Sequence, residues 1–200
     1  MSLRTPAEYV DSLKDGRTVY YRGERVEDVT THPLFKVAVE HATIDFRLAE
    51  EPEHRALAVA QDATGEEIAR LYLVPQDSQD LMNRAELIDL VTRIGRTMVT
   101  LIKEIGTDAL FALHGVAHQM DASLGTNVLD RVRTFYNYCA HNDLAVAVAQ
   151  TDPKGDRALR PSEQEHPDYY LRIVDRLKDG IVVRGAKLHT SVSVNSNELI

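Results

Sequence analysis

The densest run of chemistry-bearing side chains is Gln150-Thr151-Asp152-Pro153-Lys154-Gly155-Asp156-Arg157. Pro153 fixes φ and Gly155 allows a positive φ, so the octet reads as a turn. It gathers a threonine, a lysine, an arginine and two aspartates in a segment too short and too polar to bury. A loop this rich in hydrogen-bonding groups, hung between two rigid elements, is a candidate binding surface; the plainer reading is an exposed charged turn. His114 and His118 lie four apart on one helix, a spacing that can bind metal, but no third ligand completes a site and no metal is expected. Cys139, the one cysteine, excludes an internal disulfide and a cysteine-built metal centre. Set in an apolar helix with no charged partner to lower its pKa, it is expected to pack. No side chain declares itself catalytic.

The elements that must position the octet follow from hydrophobic patterning. Before it the chain is mostly amphipathic helix. Thr5 and Glu8 have capping-box spacing and Pro6 suits a first helical position, so a short helix is expected up to Asp15-Gly16. Residues 18–29 read as a hairpin turning near Gly23. Thr31-His32-Pro33 opens a second helix. Residues 56–60 and 68–74 suggest short strands, or a helix end followed by a strand. Leu81, Leu87, Ile88, Val91, Ile94, Met98, Leu101 and Ile102 predict a helix from Asp77 to Lys103. Gly106-Thr107-Asp108 is expected to end it and start another, running to about Ser123, and Thr126-Asn127 to start the next. Asp143 to Ala149 reads as a buried strand feeding the octet. Tyr169 to Val174, Gly180 to Lys187 and the alternating His189 to Val194 read as strands.

Composition narrows the class. Two hundred residues make one domain or two small ones, and 44% hydrophobic with 27% charged residues is ordinary for a globular chain. A net charge of −8 with no basic run argues against a nucleic-acid surface. No apolar run reaches the roughly 18 residues of a membrane span, and residues 1–6 carry no apolar signal core. A cytoplasmic protein without membrane partners is expected. The chain finishes inside an apolar, strand-like run, Val192 to Ile200, and the β part is too small to bury a sheet alone, so a longer protein is expected.

Val146 to Arg157, Gly180 to Thr190 and Val194-Asn195-Ser196-Asn197-Glu198 resemble segments of the 4-hydroxyphenylacetate 3-hydroxylase / 4-hydroxybutyryl-CoA dehydratase family. The opening fits as well, with Thr5 to Leu13, Tyr20 to Val26 and Thr30-Thr31-His32-Pro33, so the resemblance covers essentially the whole chain. It implies an α+β, acyl-CoA-dehydrogenase-like fold. A helical N-terminal domain would span 1–142, with a small hairpin, and the start of a β-barrel flavin-binding domain 143–200. A C-terminal helix bundle would lie outside this chain. The implied cofactor is FAD. Gln150, Thr151, Asp152, Lys154, Asp156 and Arg157 would form the loop against the flavin, and Lys187, His189 and Thr190 the second segment touching it. Gln150 and Thr151 offer donors to the flavin N5/O4 edge, and Lys154 and Arg157 suit an anionic reduced flavin or the phosphates.

The family has two branches, and this sequence departs from both. In the dehydratase branch an iron–sulfur cluster is held by three cysteines and a histidine. Aligned on Asp108-Ala109-Leu110, two of those cysteines fall at Thr100 and Glu104, so no cluster is expected. In the hydroxylase branch an Arg, a Tyr and a His position the phenol. Those positions fall at Ile105, Ala109 and Val148, or, in another register, Arg96 and Thr100 take the first two. The leading expectation is a monooxygenase of aromatic catabolism that takes FADH2 from a flavin reductase and hydroxylates an aromatic or related small substrate with oxygen. The alternative is a cluster-free 4-hydroxybutyryl-CoA dehydratase/vinylacetyl-CoA isomerase-like enzyme on an acyl-CoA. A non-catalytic flavin-binding fragment is the third. The resemblance also implies a homotetramer.

Overall fold

The computed structural model describes residues 3–96 and 102–200. Their contacts form two compact units, Met1–Ala147 with Val192–Ile200, and Val148–Ser191. The first unit is mainly helical. Its α1 (Pro6–Ser12) starts as the sequence predicts: Thr5 Oγ1 accepts the Glu8 N–H at 3.2 Å, and the Glu8 carboxylate accepts the Thr5 N–H at 2.8 Å. β1 (Val19–Tyr21) and β2 (Glu24–Val26) pair antiparallel around Gly23. α2 (Phe35–Ala42) and α3 (Ile44–Arg47) follow, then α4 (Pro52–Ala58), which runs straight into β3 (Val59–Gln61). β3 pairs antiparallel with β4 (Glu67–Ala69).

α5 (Ser78–Gly95) is capped by Asp77, whose carboxylate accepts the Asp80 N–H at 2.9 Å, and it ends at a left-handed Arg96 with φ 53°. Met98, Thr100 and Leu101 lie outside the described residues. α6 (Glu104–Leu124) passes unbroken through Gly106-Thr107-Asp108, where the sequence suggested a boundary. The glycine is there for approach, not for a turn. A Cβ on Gly106 would lie 2.5 Å from both Cβ and O of Val146, so only glycine lets α6 pack this close to the following strand. α7 (Val128–His141) starts after Thr126-Asn127 as expected, but its cap comes from α6. The Asp121 carboxylate accepts the Val128 N–H at 2.8 Å and the Leu129 N–H at 2.9 Å.

β5 (Val146–Ala147) is shorter than the expected strand: only these two residues pair with a partner strand, and Asp143, where the strand was expected to begin, takes a left-handed φ of 48°. In the second unit β6 (Arg172–Arg176) and β7 (Ile181–Arg184) form an antiparallel hairpin whose residues are all exposed. β8 (Glu198–Leu199) belongs to the first unit and pairs parallel with β5. The strand expected over 189–194 does not form: His189 and Val192 adopt φ of 54° and 58°, which breaks extension. Among the described residues the fold is mixed helix and sheet, with four two-stranded sheets and no closed barrel. No helix among them is long and apolar enough to cross a membrane.

The core of the first unit is built on a buried ion pair. Lys103 Nζ meets Asp143 Oδ1 at 2.6 Å, with side chains 1% and 4% exposed. The ammonium also lies 3.9 Å from the Phe46 ring centroid, and Phe46 stacks on Tyr9 at 4.4 Å. Asp143 accepts the Arg4 N–H, and Arg4 Nη1 donates to Asn197. Arg84 braces α5 against α6, donating to the Leu71 carbonyl, Thr107 Oγ1 and Asp108.

Replacing Lys103 with Met leaves the Asp143 carboxylate buried without its cation and is expected to lower stability by about 3–5 kcal/mol. Adding Asp143→Asn, which tolerates the left-handed φ, should recover much of the loss. Urea unfolding midpoints of wild type, single and double variants check this; a double variant no better than the single would contradict it.

Candidate functional site: a pinned polar turn

The second unit is organised around the octet. The Leu188 N–H donates to the Thr151 carbonyl at 2.8 Å, which pairs the octet antiparallel with the segment carrying Lys187, His189 and Thr190. Across this pairing Lys187 Nζ meets Asp152 Oδ1 at 2.9 Å and lies 3.4 Å from the Gln150 carbonyl. The hydrogen bond from Lys187 is the main cause holding the Asp152 carboxyl below its ordinary value, with the Leu171 N–H contributing. Asp156 closes its own turn by accepting the Ala158 N–H at 2.9 Å.

The turn itself is unusual. Lys154 and Gly155 are both left-handed, with φ of 74° and 55°. For a lysine that conformation costs roughly 1–2 kcal/mol, so the surroundings must enforce it. They do so with three residues the sequence reading did not single out. The Tyr170 hydroxyl donates to the Lys154 carbonyl at 3.1 Å. Gln164 accepts the Asp156 N–H at 2.9 Å and donates to the Asp156 carbonyl at 2.8 Å. The Tyr169 ring lies against Gly155, where a Cβ would come within 2.6 Å of it. Gln164 lies in a stretch without helical or alternating pattern, and Tyr169 and Tyr170 fall in the run that reads as a strand, so nothing local marks these three as supports of the turn. Tyr170 also lines an open cleft of about 430 Å³ with Pro161, Ser162, Pro167, Leu171 and Arg172.

The nine candidate residues therefore divide by use. Asp152, Lys187 and Asp156 are engaged in holding the loop together. The side chains of Gln150, Thr151, Lys154, Arg157, His189 and Thr190 make no hydrogen bond or ion pair with any described residue. A rigid frame thus presents unused hydroxyl, amide, ammonium, guanidinium and imidazole groups. That combination suits a polar, anionic ligand with hydrogen-bond acceptors.

The other candidates resolve as packing or surface. Cys139 is fully buried, and burial pushes its thiol up to about 12. His114 is half-buried and His118 exposed, and neither joins a group of metal-ligating side chains among the described residues. Asp62, Glu66 and His141 do converge, but Asp62 already accepts from the Thr64 and Glu66 N–H groups and the Thr64 hydroxyl. Asn195 and Asn197 of the third motif lie in the first unit and are structural. Asn195 O accepts the buried Tyr9 hydroxyl at 2.6 Å, and Asn197 binds the Ala145 N–H, Arg4 and Ser12.

A family model described as 4-hydroxyphenylacetate 3-hydroxylase N terminal matches residues 5–200. The chain belongs to this family. A curated relative, the 4-hydroxybutyryl-CoA dehydratase/vinylacetyl-CoA-Delta-isomerase of Clostridium aminobutyricum, is 36% identical over 200 residues, covering 99% of this chain and 40% of that protein. The structure of an oxygen-tolerant archaeal 4-hydroxybutyryl-CoA dehydratase from N. maritimus superposes with a TM-score of 0.90 at 30% identity, over 100% of this chain and 40% of that one. The oxygenase component (HpaB) of 4-hydroxyphenylacetate 3-monooxygenase, complexed with FAD and 4-hydroxyphenylacetate, superposes with a TM-score of 0.77 at 28% identity, over 98% and 40%. The chain thus spans about two fifths of the length of these relatives.

Because the Asp152 carboxyl is held below its ordinary value of 3.8, its pairing with Lys187 stabilises fully above that value and is lost as pH falls below it. Asp152→Asn should therefore lower the thermal midpoint near neutral pH. The gap to wild type should close as pH drops from about 4 to about 2. Melting curves across that range check it; a gap independent of pH would contradict it.

Proposed function

We propose that this chain supplies the flavin-holding N-terminal part of an FAD-dependent oxidoreductase of the hydroxylase family. The observation that carries the reading is the pinned octet, whose free donors match a flavin cofactor in type. In the longer protein, residues 1–142 would serve as the helical domain and 143–200 as the opening of the flavin-binding β-domain. The leading activity is that of a two-component monooxygenase. Bound FAD, received reduced from a separate reductase, would supply the electrons that let oxygen hydroxylate an aromatic or related small molecule.

The residues have distinct tasks in this reading. Gln150 and Thr151 donate hydrogen bonds to the N5/O4 edge of the ring, where negative charge develops on reduction. Lys154 and Arg157 neutralise an anionic reduced flavin or the cofactor's phosphates. His189 and Thr190, on the segment paired with the octet, add polar contacts from that side. Asp152 and Lys187 act through each other by fixing the two segments in register. The positions that would grip a phenol in the family, Ile105, Ala109 and Val148, are apolar here. In the other register Arg96 would take the arginine position. The substrate we propose is a small aromatic or related molecule.

A second reading is an acyl-CoA lyase or isomerase of the dehydratase type. It is favoured by the 36% identity and the TM-score of 0.90 to dehydratases. Its cluster positions fall on Thr100 and Glu104. The Glu104 side chain is buried and accepts the Lys103 N–H at 3.2 Å. Neither residue offers the thiolate such clusters use, so this reading is of a cluster-free enzyme.

Two experiments test the proposal. The protein mixed anaerobically with FADH2 and then exposed to oxygen should reoxidise the flavin faster than free FADH2 and yield a hydroxylated product from a panel of phenols. Reoxidation at the free rate with no product would sink the monooxygenase reading, and conversion of 4-hydroxybutyryl-CoA would establish the second. Separately, Lys154→Ala and Arg157→Ala should each weaken FAD binding about tenfold, the loss of roughly one charge-assisted hydrogen bond. Their thermal midpoints should hold, because neither side chain bonds another described residue. FAD titration by fluorescence reads the first effect and calorimetry the second.

A further inference from the structure

We infer that Gln164 is a positioning residue for the flavin loop, acting through the backbone of Asp156 to hold Lys154 and Arg157 in their binding conformation. The inference rests on the flavin reading above and assigns a task to a residue outside the octet and outside the family segments.

The geometry is specific. In a unit whose hairpin is wholly exposed, Gln164 is only 8% exposed. Its amide bonds both backbone groups of one residue, accepting from Asp156 N and donating to Asp156 O. The same Nε2 reaches the Leu159 and Arg160 carbonyls at 3.2 Å and 3.4 Å. One side chain therefore spans residues 156–160 and satisfies the polar groups at the centre of the bend. A carboxylate could accept the Asp156 N–H but would also face three carbonyl oxygens. A shorter amide would not span the turn. Glutamine is the residue that meets both demands.

Gly155 completes the case. Its left-handed φ of 55° and the crowding at its Cα leave no room for a side chain, because a Cβ would collide with Gln164 Oε1 and the Tyr169 ring. The amide thus rests directly on the glycine, and Tyr170 holds the Lys154 carbonyl just before it. Without this clasp, Lys154 would relax from its costly left-handed conformation. The loop would then sample many shapes, and ligand affinity would fall by the fraction of time spent in the competent one. The Gln164 side chain makes its hydrogen bonds to the backbone of Asp156, Leu159 and Arg160 and none to the Lys154 or Arg157 side chains, so its influence on a ligand runs through backbone position.

The test compares FAD affinity in Gln164→Met, which keeps volume and removes every amide bond, with wild type, in the presence and absence of Lys154→Ala/Arg157→Ala. Gln164→Met alone should weaken FAD binding about tenfold and speed hydrogen exchange at the Asp156 amide. In the variant lacking both cations, adding Gln164→Met should change FAD affinity less than twofold, because a positioning residue has nothing left to position. Gln164→Asn, the same amide one methylene shorter, is read in parallel and keeps the test open should the Met variant misfold. Equal losses in the two backgrounds would overturn the inference, as would unchanged affinity in Gln164→Met. Should wild type itself fail to bind FAD, the flavin reading falls first and the inference with it. Faster exchange at Asp156 with intact affinity overturns the inference alone.

Discussion

An ammonium and a carboxylate sealed together from solvent, Lys103 and Asp143, hold the first unit in register. Burying both charges is expensive, and it is tolerated only because each is further satisfied. Lys103 lies over the Phe46 ring, and Asp143 accepts the Arg4 N–H. Through Arg4, Asn197 and Ser12 the same network reaches α1 and the residues leading into β8. Tyr9 extends it by donating to the Asn195 carbonyl. The ion pair thereby joins a network that ties residues more than 180 positions apart to the turn before β5. From β5 the chain runs on directly to the octet.

The second unit solves a different problem. It has little apolar burial, so its order comes from hydrogen bonds and ion pairs between short segments. Lys187 with Asp152, Gln164 with Asp156, and Tyr170 with Lys154 fix the loop. Asp168 bonds both Arg172 and Arg184 and so joins the hairpin strands to the segment before them. This frame uses some of the loop's polar groups and leaves other side chains unbonded to any described residue. Those left over, Thr151, Lys154, Arg157 and Thr190 among them, define what the surface can recognise.

The chain belongs to the hydroxylase family, and solved relatives share its fold. The single thiol, Cys139, is buried with its pKa raised, which makes it a packing residue and not a ligand.

The amino-acid sequence by itself determined the local features whose causes are local. The Thr5–Glu8 capping box, the Gly23 hairpin, the Asp77-capped helix and the turn at Pro153-Lys154-Gly155 are all written in residues within a few positions of one another. Only the tertiary structure decided what depends on distant partners. Gly106 reads as a helix boundary until Val146 is seen to fill the space a Cβ would need. The alternation after Thr190 suggests a strand until Val192 turns left-handed beside residues that clasp α1. That Asp152 and Lys187 pair with each other across two segments is likewise decided by the fold. Gln164, silent in the sequence, gains its role because the fold carries its amide back onto Asp156. Periodicity and capping report short-range sterics and solvation, whereas a buried polar partner is chosen by where the whole chain returns.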